Sequence, residues 1–322
     1  MTVRSIAPRR QRGLTLVELL VAIVLMLMVT MATVALYSVN SSSKRTVDAS
    51  QGLDDTARFA FELIGQAIHD AGYPGAVPEE SDTGLTRRTL SNPFDLCVGS
   101  SDTKPCPILG FDNSKVASTQ GAVGGASSGG VNGSDSLAIR FNGASDSAQA
   151  RQQGRGNGSV KTCGGNSVAL TDDETQLGMS IFWVATYKGE PELYCSEEYY
   201  QADSPAGWKR LNNPMARGVE TFKIMYGVDC QGSPCVRDGV PDRWVSAADV
   251  GAGNWPYVKA VRVGLILRGP PGSAQAASGD DLYPLGKDFS TGLSAAGLKF
   301  TPPNDGRLRR VYTTTYMLRN SM

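Results

Sequence analysis

The feature that most constrains this 322-residue chain is an apolar stretch near its amino terminus. Residues 14–43 contain a single charged side chain, Glu18. A hydrocarbon core about 30 Å thick requires about 20 mainly apolar residues in a helix, and residues 19–39 supply them. A secretory signal peptide has a shorter apolar region, about 7 to 15 residues long, followed by a small-residue cleavage site. The stretch therefore predicts one membrane-spanning helix.

The residues before this stretch predict its orientation. Cytoplasmic flanks of membrane helices carry an excess of basic residues. Four arginines and no acidic residue precede Gly13: Arg4, Arg9, Arg10 and Arg12. We therefore expect the amino terminus in the cytoplasm and the rest of the chain on the other side of the membrane.

Glu18 is unusual, because a carboxylate inside an apolar helix costs about 2.5 to 3.5 kcal/mol on insertion scales. One interpretation is an acid close enough to the interface to be solvated by water. The other is an acid with a specific partner, which intramembrane acids usually have.

The context of Glu18 favours a partner. The segment from Arg12 to Ile23, RGLTLVELLVAI, resembles the signature of type IV prepilins. In that family a basic leader ends in Gly, an apolar residue follows, and Glu stands four residues later. One departure is Leu14, where Phe or Met is commoner. The resemblance implies that a prepilin peptidase cuts between Gly13 and Leu14 and N-methylates Leu14. It also implies that the new α-amine of one subunit pairs with Glu18 of its neighbour.

Apolar residues continue at helical spacing beyond the membrane stretch. They are Val47, Leu53, Ala57, Phe61, Ile64 and Ile68. Gly72 and Pro74 form a stop signal, and Gly52 and Gly65 are candidate bends. A free-standing coiled coil would show the same periodicity, but the long β-rich segment that follows favours a helix packed on a globular head. We predict a leader (1–13), a transmembrane and assembly helix (14–43), an amphipathic continuation (44–73) and a periplasmic head (74–322).

The head alternates loops with short runs rich in β-branched and aromatic residues. Val261 and Val263 alternate with Arg262 and Gly264, which is the period of a sheet packed on one face. We predict an α+β fold in which the long helix lies across an antiparallel sheet. The predicted strands are 136–141, 179–187, 219–226, 257–268 and 310–318. The Gly/Ser-rich runs 121–136 and 142–165 are expected to be mobile loops with little to bury, and neither has the Gly-Lys-Ser/Thr ending of a phosphate-binding loop.

Two further segments carry a resemblance to a family. Residues 57–73, ARFAFELIGQAIHDAGY, are similar to the corresponding segment of PilW-type minor pilins, with its Ala-Arg start and Ala-Gly-Tyr end. Residues 258–263, 309–314 and 318–320 look like the C-terminal sheet of that family, whereas the similarity is thin from 76 to 215. The resemblance implies the type IV pilin fold and a structural, non-enzymatic subunit of a complex that primes pilus assembly and ends at the tip.

The resemblance also implies partners and a location. The chain would first lie in the inner membrane and later in the pilus at the cell surface. The implied partners are minor pilins of the FimU, PilV, PilX and PilE types, the major pilin, a PilY-type tip adhesin, the prepilin peptidase and the inner-membrane assembly platform.

Three other functions stay open at this stage. A J-type pseudopilin of type II secretion would share the anchor, the Glu and the head plan. A ligand-binding tip adhesin or DNA-uptake subunit would need a basic or aromatic groove, and 31 basic against 31 acidic residues give no nucleic-acid signal. A membrane-tethered hydrolase would depend on His69, the single histidine, which we interpret as a surface or capping residue beside Asp70.

Six cysteines follow the membrane stretch, on the side predicted to be periplasmic and oxidising. Six cysteines allow fifteen connectivities, and the two short gaps are wider than the CxxC spacing of zinc sites. Loop closure favours near neighbours. In decreasing order of preference, we predict the disulfides Cys230–Cys235, Cys97–Cys106 and, by default, Cys163–Cys195.

The segment after Tyr226 raises a second alternative. In related minor pilins an Asp-rich turn after a Tyr-Gly-Val-Asp string looks like a calcium loop. Here Asp229, Asp238 and Asp242 remain as calcium candidates, but cysteines interrupt the run, and calcium takes six to eight oxygens. A disulfide-closed turn is the alternative, and we expect no cofactor.

Overall fold

The computed structural model is an α+β protein in which one long helix, α1, runs into a head built mainly from two antiparallel sheets. This architecture confirms the predicted fold class. The structure describes residues 13, 15–75, 106–115, 127–171, 176–202, 207–229, 236–251, 253–274, 279–291 and 296–320.

Helix α1 spans Leu16–Asp70 as one element of 55 residues, about 82 Å at 1.5 Å per residue. Its residues up to Asn40 are all exposed, and this half is long and apolar enough to cross a membrane. The helix ends three residues before the predicted end, at a turn in which Gly72 adopts a φ of 68°. A positive φ is strained for most residues other than Gly, so the predicted stop signal has a direct physical cause.

The second half of α1 buries one face against the head. Its buried residues are Ala49, Leu53, Ala57, Ala60, Ile64, Gly65, Ala67 and Ile68. The prediction was wrong for Val47, which is 54% exposed, because Val47 precedes the first residue of α1 that the head covers. Phe61 is partly buried at the edge of the core.

The first sheet has the strand order β1-β4-β5-β6-β7 and the second has the order β11-β10-β8-β9. All neighbouring strands in both sheets are antiparallel. Strands of the first sheet are β1 (Ile108–Phe111), β4 (Ser136–Phe141), β5 (Gly178–Tyr187), β6 (Glu190–Tyr200) and β7 (Trp208–Arg217). Those of the second are β8 (Val219–Val228), β9 (Arg243–Val245), β10 (Val258–Arg268) and β11 (Arg309–Met317).

Short elements complete the head. A two-stranded ribbon pairs β2 (Ser114–Lys115) with β3 (Ser127–Ser128). The short helices are α2 (Ala148–Gln152), α3 (Ala247–Val250) and α4 (Lys287–Ser290). All five predicted strands are present, with ends shifted by at most two residues, whereas β1, β6, β7 and β9 were not predicted.

The two sheets and α1 share one core. It contains Ile64 and Ile68 of the helix, Phe182 of the first sheet, and Phe222 and Leu265 of the second, all fully buried. The helix therefore lies against the inner faces of both sheets, and its position is fixed by burial of apolar surface from each.

Two expectations about the head were wrong. Strand β10 is buried on both faces, because the segment around Leu285 covers the face that was expected to be exposed, and Arg262 donates a hydrogen bond to the Leu285 carbonyl. The run 142–165 is not merely a solvated loop, since it contains α2 and buries Val160 and Cys163. Asn142 anchors its start by donating to the carbonyls of Pro74 and Thr171.

A disulfide joins this run to the first sheet. Cys163 and Cys195 are bonded with their Cα atoms 6.2 Å apart, which is the pairing predicted by default. Cys106 is also disulfide-bonded. The other two predicted pairings involve residues outside the described part of the chain: Cys97, Cys230 and Cys235.

Gly65 and Gly52 lie in the same helix but in opposite environments, which gives a matched test of the packing. A Cβ on Gly65 would lie 2.5 Å from Cε1 of Tyr316, whereas a Cβ on Gly52 would meet nothing within 4 Å. We expect Gly65→Ala to lower the free energy of unfolding by about 1 to 3 kcal/mol through overpacking. Gly52→Ala should raise it by up to about 1 kcal/mol through helix propensity.

Urea unfolding of the full chain in detergent, followed by tryptophan fluorescence, measures both effects. All four tryptophans lie in the head: Trp183, Trp208, Trp244 and Trp255. Stabilisation by both substitutions would show that Tyr316 does not pack on Gly65.

Candidate functional site

The predicted amino-terminal site lies at the start of α1, which Thr15 caps. The Thr15 hydroxyl accepts a hydrogen bond from the Glu18 N–H at 3.3 Å. In return, Oε2 of Glu18 accepts from the Thr15 N–H at 3.0 Å and from the Thr15 hydroxyl at 3.1 Å. This reciprocal pair is a capping box, which satisfies backbone donors that the first helical turn leaves unpaired.

The capping box shows what Glu18 does in an isolated subunit. Its carboxylate is bonded to donors of its own helix terminus and has no cationic partner among the described residues. Gly13 is exposed two residues before the cap, and Leu14 lies outside the described residues. The cleavage at Gly13, the methylation of Leu14 and the assembly role of Glu18 stay predictions.

The apolar half of α1 packs against no other part of the chain that the structure describes. No residue in its most apolar stretch of 18 residues is buried. Such a surface is stable only in lipid or against other apolar helices, because about 25 cal/mol is lost for each Å² left in water. The segment that carries Glu18 is therefore available both for membrane insertion and for helix packing.

Strand β11 and the residues after it bind the second half of α1. Asp54 accepts hydrogen bonds from the Tyr312 hydroxyl at 2.6 Å and from Nη1 of Arg310 at 3.1 Å. The Tyr312 hydrogen bond is the main cause of a lowered pKa for Asp54. Burial, with Asp54 as a smaller cause, raises the pKa of Tyr312 to about 12. At neutral pH the pair is therefore a tyrosine donor and an ionised acceptor.

Two further contacts follow along the helix. The Tyr316 hydroxyl donates to the Phe61 carbonyl at 2.6 Å. Asn320 Nδ2 donates to the carbonyls of His69 and Ala71, at 3.3 and 3.0 Å, and so satisfies acceptors at the end of the helix. The contacts advance along β11 and α1 together, so the two run in the same direction, away from the membrane half of the helix.

His69 is part of this junction. Its ring meets Tyr316 edge-on, with ring centres 6.2 Å apart. Burial is the main cause of a lowered pKa for His69, with the charge of Arg319 as a smaller cause, and its buried Nδ1 has no hydrogen-bond partner among the described residues. The adjoining groove, about 590 Å³, has no Ser, Thr or Cys among its described lining residues.

The three calcium candidates do not converge. Asp229 accepts a hydrogen bond from the Gly239 N–H, and Asp238 accepts one from the Val240 N–H, both at 2.9 Å. The carboxylates thus stabilise the local turn. In the part of the chain that the structure describes, no group of three His, Cys, Asp or Glu side chains is placed to hold a metal ion.

An ion-pair network that the sequence did not predict lies near the Asp54 contact. Glu220 and Arg309, each with a side chain 3% exposed, pair through Oε2 and Nε at 2.7 Å, and Glu220 Oε1 also pairs with Arg268 at 3.1 Å. Hydrogen bonds from Arg309 are the main cause that lowers the pKa of Asp305 to about 2. Glu190 and Arg307 complete the network. It joins the start of β6 to β8, β10 and the start of β11.

Two family models match the chain, one near its amino terminus and one in its carboxyl-terminal part. Residues 181–320 match the model of the family described as Type IV Pilus-assembly protein W. Residues 8–34 match the model of the prokaryotic N-terminal methylation motif. No curated protein matches the chain. Among solved structures, a type IV-like pilin from Thermus thermophilus is 13% identical, with a TM-score of 0.37, and the match covers 84% of this chain and 96% of that chain.

Proposed function

We propose that this chain, a type IV pilin-like minor pilin of the PilW family, joins a complex that primes pilus assembly and then stays at the tip. The observation that supports it best is the division of α1. One half is exposed and apolar, with Glu18 in its first turn, and the other half is bonded to the head. Such a subunit is a structural component without an enzymatic role.

Before assembly, the subunit waits in the inner membrane with its amino terminus in the cytoplasm. The capping box with Thr15 lowers the cost of keeping Glu18 in an apolar helix, because its oxygens have hydrogen-bond donors. Prepilin peptidase then cuts after Gly13 and exposes an α-amine on Leu14. This removes four arginines from the membrane edge and creates one cation there.

Assembly exchanges one partner of Glu18 for another. The α-amine of an incoming subunit replaces the neutral Thr15 donors with a full charge, and an ion pair is strong in an apolar environment. The head follows as a rigid body, because Asp54, Phe61 and His69 of α1 are bonded to β11 and the residues after it. The head is bulky, and it would crowd the lattice if every subunit carried one. This favours a place at the tip, beside other minor pilins, the major pilin and a PilY-type adhesin.

The processing step can be tested by mass spectrometry of the full chain extracted from membranes. We expect it to begin at N-methyl-Leu14. Gly13→Val should leave the leader attached, because the branched side chain occupies the cleavage position, while Leu14→Phe should be processed as a matched control. An intact Met1, or cleavage within residues 30–35, would contradict the proposal.

The priming role needs a separate measurement. A strain that lacks this chain should make few pili although the major pilin is present, and the chain should co-purify with other minor pilins from membranes. Normal piliation together with a block in protein secretion would instead identify a J-type pseudopilin.

A further inference from the structure

We propose that the open edge of strand β11 is a docking site for an extended strand of another pilus subunit. The identity of the partner rests on the proposed function, whereas the edge itself is a property of the fold. Within the described residues β11 pairs with β10 alone, so one side of its backbone has no neighbouring strand. Unpaired backbone donors and acceptors along a strand are a template for strand addition.

Strand β11 lacks several features that normally protect an edge, and its two charged residues, Arg309 and Arg310, lie at its start. Its nine residues, RRVYTTTYM, contain no Pro, Gly or Lys. Its register with β10 is continuous from Ala260↔Met317 to Arg268↔Arg309, without a bulge. Proteins usually blunt such an edge with Pro, Lys or a bulge.

The other long edge strand, β7, serves as a comparison. It contains Lys209 and Pro214, and its register with β6 shifts between Leu193 and Tyr194. All three devices that discourage pairing are therefore present at β7 and absent from β11. The difference indicates that pairing at β11 is used rather than merely tolerated.

The side chains of β11 define the chemistry of the added strand. On one face Val311 and Met317 are 36% and 50% exposed, and Thr315 between them is exposed as well. On the other face Tyr312 and Tyr316 contact α1, as described above. A strand added beside β11 would meet apolar and β-branched side chains on the first face.

On the second face the added strand would lie over the groove between β11 and α1. This groove is lined by Arg58, Glu62 and Gln66 of the helix and by Arg319 after the strand. Charged and amide groups there require polar partners. We therefore infer an amphipathic strand, with apolar residues on one face and polar residues on the other.

A second copy of this chain does not fit the edge. Because β11 runs in the same direction as α1, a symmetric antiparallel pair of β11 strands would point the two helices in opposite directions. Two subunits anchored in one membrane cannot adopt that arrangement. An in-register parallel pair would place Arg309 and Arg310 opposite their own copies, and like charges directly opposite are unfavourable. The occupant is therefore a strand of a different subunit.

Site-specific photo-crosslinking of the full chain in piliated cells tests the contact. A photoreactive residue at Val311 or Thr315 should give an adduct with another pilus subunit, and peptide mapping should place it in a segment with alternating apolar and polar residues. The same residue at Leu211, an exposed position on β7, is the control and should give no such adduct. An adduct with a second copy only, or none with any pilus subunit, would overturn the inference.

Charge substitutions then test whether the contact holds the complex together. Val311→Lys with Thr315→Lys should cause loss of co-purification with the crosslinked subunit, while Leu211→Lys should not. The urea midpoint of each variant, measured by tryptophan fluorescence, should equal that of the wild type. Retained co-purification by a folded β11 variant would overturn the inference while leaving processing at Gly13, and with it the proposed function, intact.

Discussion

Replacing Glu18 by Gln is expected to leave membrane insertion and leader cleavage intact but to remove the chain from pili. Gln serves in a capping box as Glu does, so the start of α1 should not change. The substitution removes only the charge, which lowers the insertion cost of about 2.5 to 3.5 kcal/mol and abolishes the ion pair proposed for assembly. Immunoblots of inner-membrane and sheared-pilus fractions from the same cells measure the two effects separately.

Substitutions at Thr15 provide the control. Thr15→Ser keeps the hydroxyl that accepts from the Glu18 N–H and should behave as the wild type. Thr15→Val keeps the shape but loses the cap, which costs about 0.5 to 2 kcal/mol at the helix terminus, while the charge of Glu18 stays. If Glu18→Gln is recovered from pili at the wild-type level, the charge is not used in assembly.

The amino-terminal half of α1 was predictable because its helical, membrane-spanning character depends only on its own residues. A run of 30 residues with one charge reads as a membrane helix without knowledge of the head. The same holds for β8 and β10, whose β-branched and aromatic residues are buried within each strand. For such segments the residue types determine the conformation, whereas burial of the second face of β10 depends on the segment around Leu285.

Strand β6 was missed because many of its buried residues are polar, and β7 was missed because only one of its residues, Ala216, is buried. Glu197 is fully buried and accepts hydrogen bonds from Thr162, Asn166 and Asn213. A sequence pattern interprets a glutamate as exposed, and only the partners on other segments reveal that burial is tolerated. The alternation of apolar and polar residues therefore did not predict β6.

The contacts between α1 and the head could not be predicted from the sequence, for a different reason. Asp54 and Arg310 are separated by 256 positions, and each looks like an ordinary solvent-exposed charge in its own segment. The alternation of Arg310, Tyr312 and Tyr316 on β11 indicates a common face, but not what that face contacts. Contacts of this kind depend on the three-dimensional arrangement, which no local pattern contains.

Substitution of Glu220 by Gln should produce the largest loss of stability in the head. Its carboxylate is 3% exposed and pairs with two guanidinium groups, those of Arg268 and Arg309. Removal of a partner that leaves a buried charge unpaired costs about 3 to 5 kcal/mol, and we expect a loss near the lower end because Arg309 keeps Asp305 and Arg268 keeps Glu190. Urea unfolding of the full chain in detergent, followed by tryptophan fluorescence, should show the lowered midpoint.

A surface pair gives the matched control for this prediction. Asp281 and Lys299 pair at 2.7 Å, but their side chains are 32% and 55% exposed, and exposed pairs contribute about 0 to 1 kcal/mol. Asp281→Asn should therefore hardly move the midpoint. Equal effects of the two substitutions would mean that water reaches Glu220. The network would then not join the start of β6 to the second sheet.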